Sequence, residues 1–336
     1  MAGYIRASVL EGLDHIAARE GQDLVTILSR YGLDHSIFEA RETEIDFEDA
    51  CSILEDCARS WKVPDLGIQL ARLHSLETLG VISLVTRMER TVRDAAKALL
   101  RNQFLHTNGV VTSLREIPQD GLAEVIYAPL SITRPRQARE MSLVMGRNVL
   151  RELAGRAPEI LSAEVMFAAP LGKDFLSAEL GCPVRYGANS YSFLFRNDVL
   201  DVKLTKQDVA FHPIIRRYLA EITVERGIPF SETVKLEVFR QLSLGVCSQD
   251  KVAAALRMQP RSLQRKLKQE GTNFREIMDE QRRRRSLALV QQTDLPLGEV
   301  ALAVGYSDQT AFNQAFRRWF GRTPLKVRRR EGLSAA

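Results

Sequence analysis

The stretch AVGYSDQTAFNQAFRRWFG, Ala303 to Gly321, decides how the rest of the chain is read. It sets five aromatics, Tyr306, Phe312, Phe316, Trp319 and Phe320, among polar side chains. Phe312, Phe316, Trp319 and Phe320 predict an inward-packing stripe on a helix that Ser307 or Asp308 can cap. Gln309, Thr310, Asn313, Gln314 and Arg317 then point out. Side chains of these types can read base edges: Gln and Asn pair with adenine, Arg with guanine, and a Thr methyl touches thymine. For one isolated helix, plain solvation of the polar face explains the pattern equally well.

A second stretch shifts that balance. VAAALRMQPRSLQRKLKQEG, Val252 to Gly271, again gives a short Ala-rich helix, a turn, an amphipathic helix and a closing Gly, so each unit reads as a helix-turn-helix. Pro260 suits the start of the second helix, and Leu263 and Leu267 face inward one turn apart. Arg261, Gln264, Arg265 and Lys268 share the outer face, with Ser262 beside them as a further candidate DNA contact. Between the units, Asn273-Phe-Arg-Glu276 resembles a capping box and predicts a helix to about Gln292, before Thr293-Asp294-Leu-Pro296. Nineteen residues at 1.5 Å each span roughly 28 Å. That is close to the ~34 Å between successive major-groove faces of B-DNA. The run Arg282 to Arg285 lies on this helix; at most one or two of the four can meet phosphate, and intramolecular ion pairs suit the others.

Charge agrees with a nucleic-acid partner. Residues 234–336 carry 20 Lys/Arg against 10 Asp/Glu, whereas residues 1–233 carry 27 against 32. An acidic body thus bears a basic tail, as expected where one part meets a polyanion. A membrane surface would instead favour a basic helix with an uninterrupted apolar face. The N-terminus has no apolar signal core and the apolar runs are short, so a cytoplasmic protein is expected. Cys51, Cys57, Cys182 and Cys247 lack metal-site spacing, and the five histidines show no paired motif. No metal and no cofactor are assigned. Cys57 shares a helical stripe with Ala50, Ile53, Leu54, Ala58 and Trp61, which reads as core packing in preference to a redox switch.

The N-terminal two thirds reads as helices followed by a small α+β unit of about four strands. Thr91-Val-Arg-Asp94 opens a helix to about His106. Val110–Ile117 and Leu122–Tyr127 flank a Pro-Gln-Asp-Gly hairpin turn, Pro135–Ala154 forms a long helix stopped by Gly155, and Ala163–Phe167 and Tyr191–Phe195 are two further strands. The expected organisation is an α+β domain over 1–200, a connecting segment over 201–231, and an all-α domain over 232–330 with two helix-turn-helix units joined by a linker helix.

The string Val300-Ala301-x3-Gly305-Tyr306-x5-Phe312-x3-Phe316-Arg317-x3-Gly321-x-Thr323-Pro324-x2-Val327-Arg328 resembles the signature of AraC/XylS-family transcriptional regulators, and MQPRSLQRKLKQEGTNF matches that family's first recognition helix. The resemblance covers about residues 232–330. Arg257 stands at a turn position often held by Gly, where a left-handed conformation would cost about 1 kcal/mol, and Val327 replaces a usual aromatic. GCPVRYGANSYSFLFRNDVL, Gly181 to Leu200, and the TLGVISLV stretch are similar to the arabinose-binding-type N-terminal domain of one branch of these regulators. The resemblance implies double-stranded DNA and RNA polymerase as partners, a homodimer, and a small-molecule effector. Within the body, Cys182-Pro-Val-Arg-Tyr-Gly187 reads as a structural turn in preference to a ligand loop. Residues 1–233 choose no particular effector and do not separate activator from repressor. A DNA-targeted alkyl-transfer enzyme would need a reactive Cys motif, and no P-loop, GxSxG or GxGxxG is present. A nonspecific architectural protein has no need of two separate polar faces.

Overall fold

The computed structural model describes residues 3–129, 135–188, 190–204, 212–225, 229–245 and 247–332. The chain divides into two compact units that part near residue 222. In the first, β1 (Tyr4–Arg6), α1 (Leu13–Arg19) and α2 (Val25–Ser29) lead to β2 (Glu44–Asp46), α3 (Phe47–Trp61), α4 (Leu66–Leu73) and α5 (Val92–Arg101). There follow β3 (Val110–Ile117), β4 (Leu122–Pro129), α6 (Arg136–Ala154), β5 (Ile160–Glu164), α7 (Phe175–Leu180), β6 (Val184–Arg185), β7 (Tyr191–Arg196) and α8 (His212–Glu225). Residues 205–211 and 226–228 of the expected connecting segment lie outside the described residues.

Local chemistry sets the helix ends. The Asp46 carboxylate accepts from the N–H groups of Glu48 and Asp49 and starts α3, whose stripe Ala50, Ile53, Leu54, Cys57, Ala58 and Trp61 is buried. Thr91 caps α5 by accepting from the Asp94 N–H. That helix ends at Arg101, short of His106, because the Asn102 side chain donates to the Ala98 carbonyl and a brief 3-10 turn over Gln103–Leu105 follows. Gly155, at φ 68°, stops α6.

The main sheet runs β3-β4-β7-β5-β6, with β4/β7 and β5/β7 antiparallel and β5/β6 parallel. Five strands replace the four expected, and β1 with β2 forms a separate antiparallel pair. The missed strands are two or three residues long, too short for an alternating pattern to register. One of them, β6, lies inside the segment read as a turn. Tyr191, Phe193 and Phe195, at alternate positions of β7, are buried in one core with Leu143 and Val144 of α6 and Ile53 and Leu54 of α3. Helices α4 and α6 meet at Gly67, where a Cβ would stand 2.1 Å from the Gln137 carbonyl oxygen. The Gln137 amide completes that crossing by accepting from the Gly67 N–H at 2.8 Å and donating to the Pro64 carbonyl at 3.0 Å.

The second unit is helical: α9 (Phe230–Ser243), α10 (Gln249–Ala255), α11 (Pro260–Gln269), α12 (Phe274–Gln292), α13 (Leu297–Ala303), α14 (Gln309–Phe320) and α15 (Pro324–Gly332). It holds two cores. One gathers Val234, Val238, Leu242, Val252, Ala253, Leu263, Leu267 and Ile277; the other Leu289, Val290, Leu295, Val300, Ala301, Val304, Phe312 and Phe316. Helix α12 enters both, through Ile277 near one end and Leu289 and Val290 near the other. The first turn of each helix-turn-helix closes in the same way. Met258 N–H donates to Ala253 and Arg257 N–H to Ala254; Tyr306 N–H donates to Ala301 and Gly305 N–H to Leu302. Gly305 sits at φ 80° and Arg257 at φ 54°, so Arg257 does adopt the left-handed conformation.

Two stability predictions follow from these features. Arg257→Gly should raise the unfolding free energy by about 0.5–1 kcal/mol, less whatever the glycine adds to unfolded-chain entropy, as read by urea denaturation. A loss of stability would show that the Arg257 side chain contributes more than its backbone strain costs.

The other concerns pH. Burial pulls His74 down to about 4 and His106 to about 3, so both rings are neutral in the fold. The unfolded chain, with histidines near 6.5, binds protons preferentially below that value, and the stability these rings contribute is lost as pH falls. Burial raises Glu140 to about 7, which acts in the opposite sense between about 4.5 and 7. The two histidine shifts outweigh that of Glu140, even with the lesser rises that burial causes at Glu55 and Asp49 acting on its side. The intact protein should therefore lose on the order of 2 kcal/mol between pH 7 and pH 5, and His106→Gln should flatten the slope. Thermal melts across that range decide it, and a melting temperature that rises on acidification contradicts the assignment.

Candidate nucleic-acid interface and an apolar cavity

On α11, Leu263 and Leu267 are fully buried while Arg261, Gln264, Arg265 and Lys268 are exposed and Ser262 is half-buried. Gln264 is partly engaged: its Nε2 donates to Gln249 Oε1 at 3.2 Å, tying the outer face of α11 to the start of α10. Glu270, just beyond α11, accepts from the N–H groups of Phe230 and Ser231 at 2.7 and 2.8 Å and so caps α9. These contacts anchor α11 at its middle and just beyond its C-terminal end.

On α14, Phe312 and Phe316 are buried, and Gln309, Thr310, Gln314 and Arg317 are exposed. Asn313 is half-buried, with its Oδ1 shielded and unpartnered, so it is less available than its helical position suggests. Asp308 is the cap: its carboxylate accepts from the Ala311 N–H at 2.8 Å, which holds it below the usual carboxylate range. Ser307 is exposed and donates to that same carboxylate at 3.2 Å. The aromatics form one cluster, with Tyr306 6.1 Å from Phe312 and 6.3 Å from Trp319, and Phe316 4.6 Å from Phe320. They fix α14 from behind and leave its polar face to solvent.

The four consecutive arginines of α12, Arg282 to Arg285, are all engaged within the protein. Arg282 donates to the carbonyls of Val304 and Gly305, at 3.1 and 2.7 Å, and its guanidinium lies 4.8 Å from the Tyr306 ring centre. Arg285 donates to the Ala303 carbonyl and to Ser243 Oγ. Arg283 covers the Phe320 ring, and Arg284 pairs with Glu280. Only one of the four makes the ion pair expected from sequence. Arg282 and Arg285 instead satisfy the free carbonyls at the negative end of α13. Asp279 accepts from Arg318 Nη2 and Trp319 Nε1 at 2.7 and 2.8 Å, and Arg328 donates to the Val290 and Leu295 carbonyls. Several family-signature positions, Gly305, Phe312, Phe316 and Arg328, therefore act on packing and geometry.

The first unit contains a partly open cavity of about 180 Å³. Its walls are almost wholly apolar, among them Leu54, Ile82, Leu99, Val125, Met145 and Leu150. Gln103 is saturated: its amide donates to the Val110 carbonyl and Thr112 Oγ1 and accepts from the Thr112 N–H. Arg139 is different. It is 1% exposed, lies 5.7 Å from the ring centres of both Phe47 and Tyr191, and leaves Nε and Nη2 without a hydrogen-bond partner. No effector residues are assigned from sequence. The lining comes from several separated elements, so no local spacing marks it. Its one legible trace is Arg139 itself, which shares a helical stripe with the cavity residues Gly146 and Leu150 and with buried Leu143.

Among the described residues no helix is long and apolar enough to cross a membrane, and no group of three or more His, Cys, Asp or Glu could hold a metal. Burial pushes the thiols of Cys51, Cys57 and Cys247 up to about 12, away from the reactive thiolate.

Comparison with known proteins places this geometry. The family described as the N-terminal arabinose-binding domain of AraC transcription regulators matches residues 21–204, more than half of the chain, and a helix-turn-helix domain family matches residues 252–330. The chain is 28% identical to the HTH-type transcriptional regulator VirS of Mycobacterium tuberculosis, over 99% of each protein. It is 37% identical to the HTH-type transcriptional regulator VqsM of Pseudomonas aeruginosa over 76 residues, 23% of each. The crystal structure of the transcriptional regulator CdpR from Pseudomonas aeruginosa aligns at 22% identity with a TM-score of 0.41, covering 83% of this chain and 90% of that one. The chain belongs to the AraC family of transcription regulators, DNA-binding helix-turn-helix proteins that are not enzymes, and carries an arabinose-binding-type domain ahead of its helix-turn-helix domain.

Proposed function

We propose that this regulator reads promoter DNA with two recognition helices at once, and that a small molecule bound in the first unit sets its occupancy. In this reading residues 1–200 bind the effector and dimerise, 201–231 connect, and 232–330 grip DNA. The protein works in the cytoplasm as a homodimer with RNA polymerase. One observation carries the DNA reading: two exposed polar faces backed by separate cores on one 19-residue helix. Arg261, Ser262, Gln264, Arg265 and Lys268 form the first contact set. Ser307, Asp308, Gln309, Thr310, Asn313, Gln314 and Arg317 form the second. Arg265 and Gln309 are the base readers, and Lys268 and Arg317 contact phosphate.

Regulation requires differential affinity. An effector changes occupancy only by binding the DNA-competent arrangement better, or worse, than the alternative.

Alanine at Arg265 or Gln309 should cost about 1–3 kcal/mol, each at its own half of the site, and relax base preference there. Alanine at Lys268 or Arg317 should weaken all sequences alike and flatten the dependence of affinity on salt. Footprinting and titration of the four variants at several salt concentrations separate these roles. Unchanged footprints and affinities for the first pair would remove the assignment, and a loss of discrimination from the second pair would reverse it.

A further inference from the structure

We propose that the cavity of the first unit takes a monocarboxylate with an apolar body of about six to nine carbon atoms, its carboxylate paired with Arg139. This rests on the reading that the first unit binds an effector, and adds the chemical class.

Arg139 is a buried cation with two unpartnered nitrogens. A guanidinium cannot shed its charge in a protein, and a buried charge with no partner is among the costliest arrangements a fold can keep. The Phe47 and Tyr191 rings offer partial compensation through their faces. Neither ring can satisfy N–H groups in the guanidinium plane. The two that are free, at Nε and Nη2, lie side by side and point the same way, the fork that accepts both oxygens of one carboxylate; both are shielded in the unliganded fold, so the carboxylate pairs with them as the Arg139 side chain turns into the cavity it lines. Neither nearby acid bonds the free nitrogens, although Glu140 Oε2 is itself buried without a partner. Glu140, the next residue on α6, bonds Arg136 through one oxygen and diverges from Arg139 around the helix, and Glu55 accepts from the Gln137 N–H.

The rest of the cavity defines the body. An apolar cavity of about 150 Å³ accommodates benzene, so about 180 Å³ holds a slightly larger hydrocarbon. The Gln103 amide is already bonded through both its oxygen and its nitrogen, and the neutral His106 ring, with Nδ1 unpartnered, offers one further hydrogen bond but no charge for a second anion. A sugar, a free amino acid or a dicarboxylate would leave further polar atoms against Leu54, Ile82, Leu99 and Val125 without partners. One anionic head and an apolar remainder fit both ends of the site.

The test uses the intact protein, with octanoate and 3-phenylpropanoate beside their uncharged amides as probes, and calorimetric titration and thermal melts as readouts. At least one acid should bind wild-type protein ten-fold or more tightly than its amide and raise the melting temperature. Arg139→Gln should abolish that preference without lowering the melting temperature of the unliganded protein. Equal affinity for acid and amide, acid binding unchanged in Arg139→Gln, or no binding of either acid overturns the proposal. Should Arg139→Gln not fold, Ala50→Leu narrows the cavity while keeping the cation, and must weaken acid binding ten-fold; unchanged binding again overturns it. DNA affinity measured in parallel separates this site from the reading beneath it. An acid that binds through Arg139 and leaves DNA affinity unchanged removes the effector role and keeps the site. A compound that shifts DNA affinity equally in wild type and Arg139→Gln keeps the effector role and removes the site.

Discussion

Helix α12 is the member on which the second unit depends, because it supplies buried side chains to two cores that share no other helix. Ile277 belongs to the core under α11, Leu289 and Val290 to the core under α14. Each such side chain withdrawn from water stabilises its core by about 1.5–3 kcal/mol, so neither helix-turn-helix can move along α12 without exposing it. Hydrogen bonds fix the remaining freedom. Arg282 and Arg285 hold the end of α13, and Asp279 holds α14 through Arg318 and Trp319. The two exposed faces are thus carried on one rigid body, and roughly 28 Å of helix lies between its ends.

Much of this unit was legible because its signals are local. Asn273 accepts from the Glu276 N–H to start α12, Pro260 opens α11, and Leu263, Leu267, Phe312 and Phe316 are buried where helical spacing puts them. The Arg282–Arg285 run was less legible. In sequence it suggests phosphate contacts and ion pairs, while in the fold two of its members close the end of another helix, a role set by tertiary neighbours 18 to 23 positions away. In the first unit the long strands β3, β4 and β7 announce themselves by length and turn residues. Strands β1, β2 and β6 do not, because pairing defines them and alternation does not. The cavity was beyond reach for the same reason: it is a property of several elements together.

The way this protein treats its other buried and half-buried arginines bears on Arg139. Arg6 is 3% exposed, donates to the Leu105 carbonyl through Nε and pairs with Glu42. Arg282, Arg285 and Arg328 each donate to backbone carbonyls. Arg328 leaves one shielded nitrogen, Nη2, without a partner, whereas Arg139 leaves two, and Arg139 also lines an apolar cavity. Stability given up at such a position is the usual mark of a site shaped for something other than stability.

The most direct measurement takes a footprinted promoter site and inserts about five base pairs, half a helical turn, between the two base clusters protected by one chain. Affinity of the intact protein is then compared for the original and lengthened sites. If α12 holds α11 and α14 about one turn apart on one DNA face, the insertion turns the clusters to opposite faces and binding should fall about 100-fold or more, with about ten inserted base pairs failing to restore it. Affinity retained within about two-fold would mean that only one helix-turn-helix reads DNA. That result would contradict the account.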